Sequence, residues 1–237
     1  MSLPSGRLGS GFQSWVDVSC WAGGSCHGFG ATTPAVAKAS SGWSPKTAPP
    51  PRQTRMKLTL ASGSPQRAEI LRKLGLEFEI VVSGVDELSG GDPEFEVLEN
   101  ARLKARAVGR DGVVIACDTD VVLDGKALGK PADAAESRAY LDRMSGRAHE
   151  VLSGLVVLFD GEERSGLDRT TVTFKSLGDR EKERYVAFGE WEGRSGGYAI
   201  QTLGSTLVER VEGSVSNVVG LPVGLLFELA PELFGQS

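Results

Sequence analysis

The chain predicts a mixed α/β fold, and three observations predict it. A short β-prone run, Lys57-Leu-Thr-Leu-Ala61, passes through Ser62-Gly-Ser64 into Pro65 and a helically spaced apolar set, giving strand, loop and helix in succession. The continuous apolar run Val113-Val-Ile-Ala-Cys117 has the pattern of a central strand covered on both faces. Strand-like and helix-like segments alternate to the C-terminus, with no internal repeat of roughly 20–50 residues.

Taken in order, Ala68, Ile70, Leu71 and Leu74 follow helical spacing after Pro65, and Gly75 sits where a C-terminal cap belongs. Phe78 to Val82 reads as a second strand. Asp92 is the N-cap of a second helix that runs from Pro93 through Leu98, Ala101, Leu103 and Ala105 to Gly109. The apolar strand from Val113 is expected to end at Asp118. Asp124-Gly125 then marks a two-residue hairpin between Val121-Val-Leu123 and Ala127-Leu128. A helix follows from about Ala132 to Met144. Val151 to Phe159 and Arg169 to Phe174 read as a long antiparallel pair around Asp160-Gly161, and Asp179 as the cap of a helix to Phe188. Thr206 to Val211 is the last strand and Pro222 to Leu233 a terminal helix.

The 237 residues suit one large domain, or a domain with an appendage, and the composition divides them. Gly, Ser and Pro supply 23 of the first 55 residues, with Asp17 the sole acid and no apolar periodicity, so residues 1–55 are expected to be a disordered extension. An over-extended start ahead of Met56 and a targeting segment both fit. A secretory signal fits less well, because no apolar h-region is present. Cys20, Cys26 and His27 lack a second ligand pair for a zinc site. The extension holds five of the 26 basic residues and one of the 31 acids, which leaves 21 and 30, a formal charge of −9, for the domain at 56–237. Such a domain has no global attraction for nucleic acid or an anionic membrane. No apolar stretch approaches the roughly 20 residues of a membrane span. Three cysteines are too few for a disulfide scaffold, so the cytoplasm is the expected compartment.

Polar groups gather at the ends of the apolar strands. Ser62-Gly-Ser-Pro-Gln-Arg67 is either an ordinary helix start or a loop whose amides, helix N-terminus and Arg67 receive a phosphate. Asp118 follows a buried strand, where a carboxylate holds a divalent cation, accepts a proton from water, or simply caps a turn. Asp86-Glu87 offers a second carboxylate. Lys130, in Gly129-Lys-Pro131, and Lys104, on the second helix, are candidate neutralisers of a polyphosphate. Gln201, after a glycine-rich loop, has an amide suited to a base edge. His149 stands alone outside the extension, so a Ser-His-Asp triad and a histidine zinc site are improbable by inventory.

These segments resemble the Maf family of nucleoside triphosphate pyrophosphatases. The resemblance covers Met56 to the C-terminus in eight ordered blocks: Leu60-Ala-Ser-Gly-Ser-Pro-Gln-Arg67, Val85-Asp-Glu87, Ala101-Arg-Leu-Lys-Ala105, Cys117-Asp-Thr119, Gly129-Lys-Pro131, Ser145-Gly-Arg-Ala-His149, Gly196-Gly-Tyr-Ala-Ile-Gln201 and Asn217-Val-Val-Gly-Leu-Pro222. It implies a two-lobed mixed sheet with flanking helices, like the inosine triphosphate pyrophosphatases, with the substrate in a central cleft, and a homodimer. It implies cleavage of dTTP or UTP to the monophosphate and pyrophosphate with Mg²⁺ or Mn²⁺. It makes Asp118 the proton acceptor, places Glu87 beside it on the metal, and sets Arg67, Lys104 and Lys130 on the triphosphate with Ser62 assisting. The positions matching Gln66, Thr119 and Gln201 select the base. The dTTP/UTP group typically has Arg, Thr and Gln there, and the 7-methyl-GTP group an aromatic residue, Gln and Glu. Two of the three residues here favour dTTP/UTP, and Gln66 departs. Asp120 is a second departure, where the family usually has an aliphatic residue, and is expected to face solvent. The alternatives are a 7-methyl-GTP pyrophosphatase and a non-catalytic nucleotide-binding regulator of cell division.

Overall fold

In the computed structural model, which describes residues 57–109 and 111–235, strand β1 (Leu58–Leu60) leads into helix α1 (Pro65–Lys73) as its sequence requires. Ser64 is the N-cap, Pro65 opens the first turn, and Gly75 follows the helix at φ +77°. The expectations for residues 1–55, including Cys20, Cys26 and His27, lie outside the described residues. Strand β2 shortens to Glu79–Ile80. Helix α2 (Pro93–Val108) has both expected ends: the Asp92 carboxylate accepts from the Glu94 amide at 3.2 Å, and Gly109 closes it.

Strand β3 (Val113–Leu123) does not end at Asp118. It runs five residues further, because every residue from Val113 to Val122 pairs with strand β5 (Ala148–Phe159) whatever its polarity. Asp124 and Gly125, both at positive φ, make the predicted turn into β4 (Lys126–Ala127). Helix α3 (Ala134–Met144) precedes β5, and β6 (Glu162–Phe174) is twice the predicted length, since its polar first half also pairs with β5. Helix α4 (Asp179–Phe188) is capped by Gly178 rather than Asp179, and β7 (Val208–Glu212) follows a 3-10 turn. The expected terminal helix is divided. Helix α6 (Val223–Leu229) stops before Pro231, which opens a separate 3-10 turn, and a short unpredicted helix α5 (Val215–Val219) precedes both.

The seven strands among the described residues form one mixed sheet in the order β2-β1-β3-β5-β6-β7, with β4 also on β3. Strands β1 and β2 and strands β1 and β3 pair in parallel, and every other pair is antiparallel. Strand β1 stops opposite Ile115, and β3 meets β4 only from Val122 onward, where Ala127 and Lys126 face Val122 and Leu123. Between those points β3 has a strand neighbour on one side only, and there the sheet opens.

That opening coincides with a break in the core. On one face, Leu60, Leu71, Ile115 and Leu155 form an apolar cluster with α1 and α6, and Val121, Leu141, Phe174 and Tyr185 form another with α3 and α4. Burying each such large side chain contributes roughly 1.5–3 kcal/mol, so each cluster stabilises its own lobe. Between them lies a polar seam, with the hydroxyls of Thr119 and Ser153 2.8 Å apart. On the opposite face α2 crosses β5 in backbone contact at Gly154: a Cβ there would come within 2.3 Å of the Val97 carbonyl oxygen. Gly154 lies opposite Asp118 in the ladder, so its missing side chain brings α2 down onto the strand at Asp118.

Candidate active site

Asp118, 8% exposed, sits at the middle of β3 in the opening of the sheet. Its Oδ1 accepts from Lys104 Nζ at 2.6 Å and its Oδ2 from Asn100 Nδ2 at 3.1 Å. Asn100 and Lys104 are four residues apart on α2 and therefore share a face. Lys104 Nζ also lies 2.7 Å from Glu87 Oε1, so one ammonium bridges two carboxylates. Glu87 is the more exposed partner, at 48% of its side chain. Asn100 fastens the loop that carries it: the Leu88 amide donates to Asn100 Oδ1 at 2.7 Å, and Asn100 Nδ2 donates to the Leu88 carbonyl at 3.1 Å. A buried carboxylate with two donors from a neighbouring helix is fixed in place, and removing either partner leaves it undercompensated.

Arg67 braces the seam. Its Nε donates to the Gly220 carbonyl at 2.7 Å, Nη1 to Ser62 Oγ at 2.9 Å and Nη2 to Thr119 Oγ1 at 3.1 Å. Strand β3, the loop after β1 and the segment before α6 thus meet on one guanidinium, whose planar fork suits several fixed acceptors. Ser64 Oγ donates to Gln66 Oε1 at 3.0 Å and caps α1 by accepting from the Arg67 amide. Helix α1 has no acid in its first turn, whereas α2, α3 and α4 all do. Its positive end is left for an anion.

Two turns close the other side. The Gly196 amide donates to the Gly129 carbonyl at 2.7 Å, which ties the glycine-rich loop to the turn bearing Lys130. Lys130 is exposed and has no ion-pair partner among the described residues. Gln201, also exposed, stands at the end of the same loop. Asp120 does not face solvent. It is half-buried in the cleft and accepts from Ser195 Oγ at 2.8 Å. Burial pushes its carboxyl up to about 6, against the lowering effect of the Ser195 hydrogen bond, and the neighbouring acids Asp118 and Glu87 add to the rise.

The cleft between these walls has a volume of about 680 Å³, within the range of small-molecule pockets. Ser62, Gln66, Arg67, Glu87, Lys104, Asp118, Thr119, Lys130 and Gln201 all line it. The structure thus brings every predicted site residue to one cavity, with two changes of emphasis. Lys104, expected on the triphosphate, has its ammonium between two carboxylates, and Arg67 is held by three protein acceptors. Asp86, the alternative to Glu87, is exposed and does not line the cleft. Sequence reasoning missed Asn100, Asp120 and Ser195. Asn100 had a readable signal, lying midway between Glu96 and Lys104 at four-residue spacing, a polar row beside the apolar Val97, Ala101 and Ala105. Ser195 had none.

The carboxylates of Glu87 and Asp118 fit a divalent cation by their chemistry: both are hard oxygen donors and already share one positive charge. Among the described residues no cluster of three or more acids, histidines or cysteines could hold a metal. Two carboxylates suit Mg²⁺, which keeps waters and substrate phosphates as its other ligands.

Residues 57–233 match the family described as Maf-like protein. The dTTP/UTP pyrophosphatase of Deinococcus radiodurans is 46% identical over 183 residues, spanning 76% of this chain and 94% of that protein. The dTTP/UTP pyrophosphatase of Anaeromyxobacter dehalogenans strain 2CP-1 is 49% identical over 173 residues, 70% of this chain and 89% of that protein. The solved structure of the Staphylococcus aureus Ham1 protein aligns over 50% of this chain and 71% of its own with 16% identity and a TM-score of 0.38.

Proposed function

The chain belongs to the Maf family, and from that premise we propose that it hydrolyses dTTP and UTP to the nucleoside monophosphate and pyrophosphate. The observation that carries this reading is the Asp118 carboxylate, held by Lys104 and Asn100 at the opening of the sheet with Glu87 on the same ammonium. Asp118 accepts the proton of a water that attacks the α-phosphorus, and the bond to the bridging oxygen breaks toward pyrophosphate. Asn100 and Lys104 keep the accepting oxygens in place, which spares reorganisation during the reaction. Lys130 and the N-terminus of α1, with Ser62 and Arg67 at its start, meet the anionic chain of phosphates. Thr119 and Gln201 select the base, and Gln66, where the dTTP/UTP group has Arg, tempers that selection. Glu87 and Asp118 would hold Mg²⁺ or Mn²⁺. When bound, the metal neutralises charge that builds on the phosphate oxygens.

The reading includes a homodimer, checked by sedimentation, and a cytoplasmic enzyme. No helix among the described residues is long and apolar enough to cross a membrane. The deciding experiment presents dTTP, UTP, CTP, GTP and 7-methyl-GTP with Mg²⁺ or Mn²⁺ and assays pyrophosphate. Release from dTTP and UTP above the others is expected. Orthophosphate without pyrophosphate from every nucleotide would overturn the assigned reaction, and a preference for 7-methyl-GTP would overturn the base assignment.

A further inference from the structure

Where β3 lacks a second strand neighbour, a single side chain from the glycine-rich loop takes that place. Ser195 Oγ accepts from the Val121 amide at 3.0 Å and donates to Asp120 Oδ1 at 2.8 Å. The next residue is held as firmly, because the Gly196 amide donates to the Gly129 carbonyl and a Cβ on Gly196 would come within 2.6 Å of the Val121 side chain. Despite its glycines, the loop is fastened to both the catalytic strand and the Lys130 turn.

Arg194 immediately precedes Ser195 and lines the cleft. Its Nε donates to the Glu190 carbonyl at 2.8 Å, and its two terminal amino groups have no partner among the described residues. Of the other cleft cations, Lys104 is engaged by Glu87 and Asp118, and Arg67 by Ser62, Thr119 and Gly220. Lys130 and Arg194 therefore remain, on two turns hydrogen-bonded to each other, as the cleft cations whose charged ends are not already engaged by protein acceptors, and they add to the α1 end in meeting an anion. Asp120 is a carboxylate beside that anion, and its one side-chain hydrogen-bond partner among the described residues is Ser195.

Resting on the reading of the chain as a nucleotide pyrophosphatase, we propose that Arg194 binds the pyrophosphate end of the substrate and that Asp120, acting through Ser195, is the positioning residue that holds it there. The test measures product inhibition by pyrophosphate and by dTMP, with dTTP as substrate, on the full chain and its variants. Arg194→Gln should raise the inhibition constant for pyrophosphate about tenfold, the value of a charge-assisted hydrogen bond, and leave that for dTMP unchanged. Asp120→Val and Ser195→Ala should each reproduce a share of that rise, the double variant should be no worse than the worse single one, and Asp120→Asn, which keeps an acceptor for Ser195, should restore binding. The metal concentration at half-maximal rate should not move with Ser195→Ala or Asp120→Asn. An unchanged pyrophosphate constant in Arg194→Gln overturns the Arg194 assignment. Additive effects of Asp120→Val and Ser195→Ala, or a shift in metal dependence on Asp120→Asn, overturn the positioning role and make Asp120 a metal ligand instead. If no nucleotide is cleaved, the pyrophosphatase reading falls by itself. Calorimetric titration of pyrophosphate into wild type and Arg194→Gln then still decides whether this pair of turns binds it.

Discussion

The two walls of the cleft are built by different means. The wall made by α2, the middle of β3 and the Glu87 loop is held by charge: one lysine bridges two carboxylates, and one asparagine ties the Asp118 carboxylate to the loop. The wall made by the Lys130 turn and the glycine-rich loop is held by a backbone bond, close contacts and the Ser195 hydroxyl on β3, and among the described residues Lys130 and Arg194 have no acidic partner. A side-chain charge network demands sub-ångström placement and suits proton transfer. A backbone-fastened turn can present an unpaired cation to an incoming anion without a carboxylate to displace. Chemistry is thus expected to reside on the first wall and affinity on the second.

The largest effect should follow from removing the base on the first wall. Asp118→Asn keeps the size and one acceptor oxygen but not the basicity, so kcat should fall roughly 10³-fold while thermal unfolding stays cooperative. Retained turnover would place the base elsewhere. The next prediction separates placement from chemistry. Gly154→Ala adds a methyl against Val97 and Leu98, which do not line the cleft, and forces α2 away from β5, and with it Asn100 and Lys104. Stability should drop by about 1–3 kcal/mol and kcat by roughly tenfold or more. A stability loss with unchanged kcat would show that the helix recovers its place. On the second wall, Lys130→Gln should act on KM for dTTP, by about tenfold, and much less on kcat. An equal fall in kcat and kcat/KM would move Lys130 to the transition state and erase the contrast between the walls.

The smallest effect probes what lies beneath the second wall. His149 is buried, its Nε2 is 2.8 Å from the Tyr198 hydroxyl, and burial pushes its pKa down from 6.5 to about 4. Between those values only the unfolded chain takes up the proton, so the unfolded state binds more protons and stability falls as pH falls through that window. From pH 7 to pH 5 His149 should account for a loss of about 2 kcal/mol. Urea unfolding of wild type and His149→Gln at both pH values isolates that share, because Asp120, with its folded pKa raised, works in the opposite direction in both proteins. An identical pH dependence in the two would show that His149 titrates normally.

Local chemistry was legible wherever one residue's backbone preference decides the outcome. Asp92, Pro93 and Gly109 announced α2 to the residue, and Asp124-Gly125 announced the hairpin. Extrapolated apolar patterning failed where a partner strand overrides polarity, as in β3 beyond Asp118 and the first half of β6. The terminal helix was overextended through Pro231 because apolar spacing was followed past a residue that cannot continue a helix.

The candidate site divides along the same line. Residue types beside the apolar strands marked Asp118, Glu87, Lys104, Lys130 and Arg67 as candidates that also had ordinary surface and capping uses, and it was the resemblance to the Maf family that implied one shared cleft for them. Which cation meets which acid was decided only in three dimensions. Lys104 meets Asp118 because Gly154 lets a helix lie against the sheet, and Asp120 borders the cleft because β1 ends opposite Ile115, five residues short of it, and β4 pairs only with Val122 and Leu123. Both facts depend on pairs far apart in the chain, and pairing at a distance is set by packing rather than by local preference.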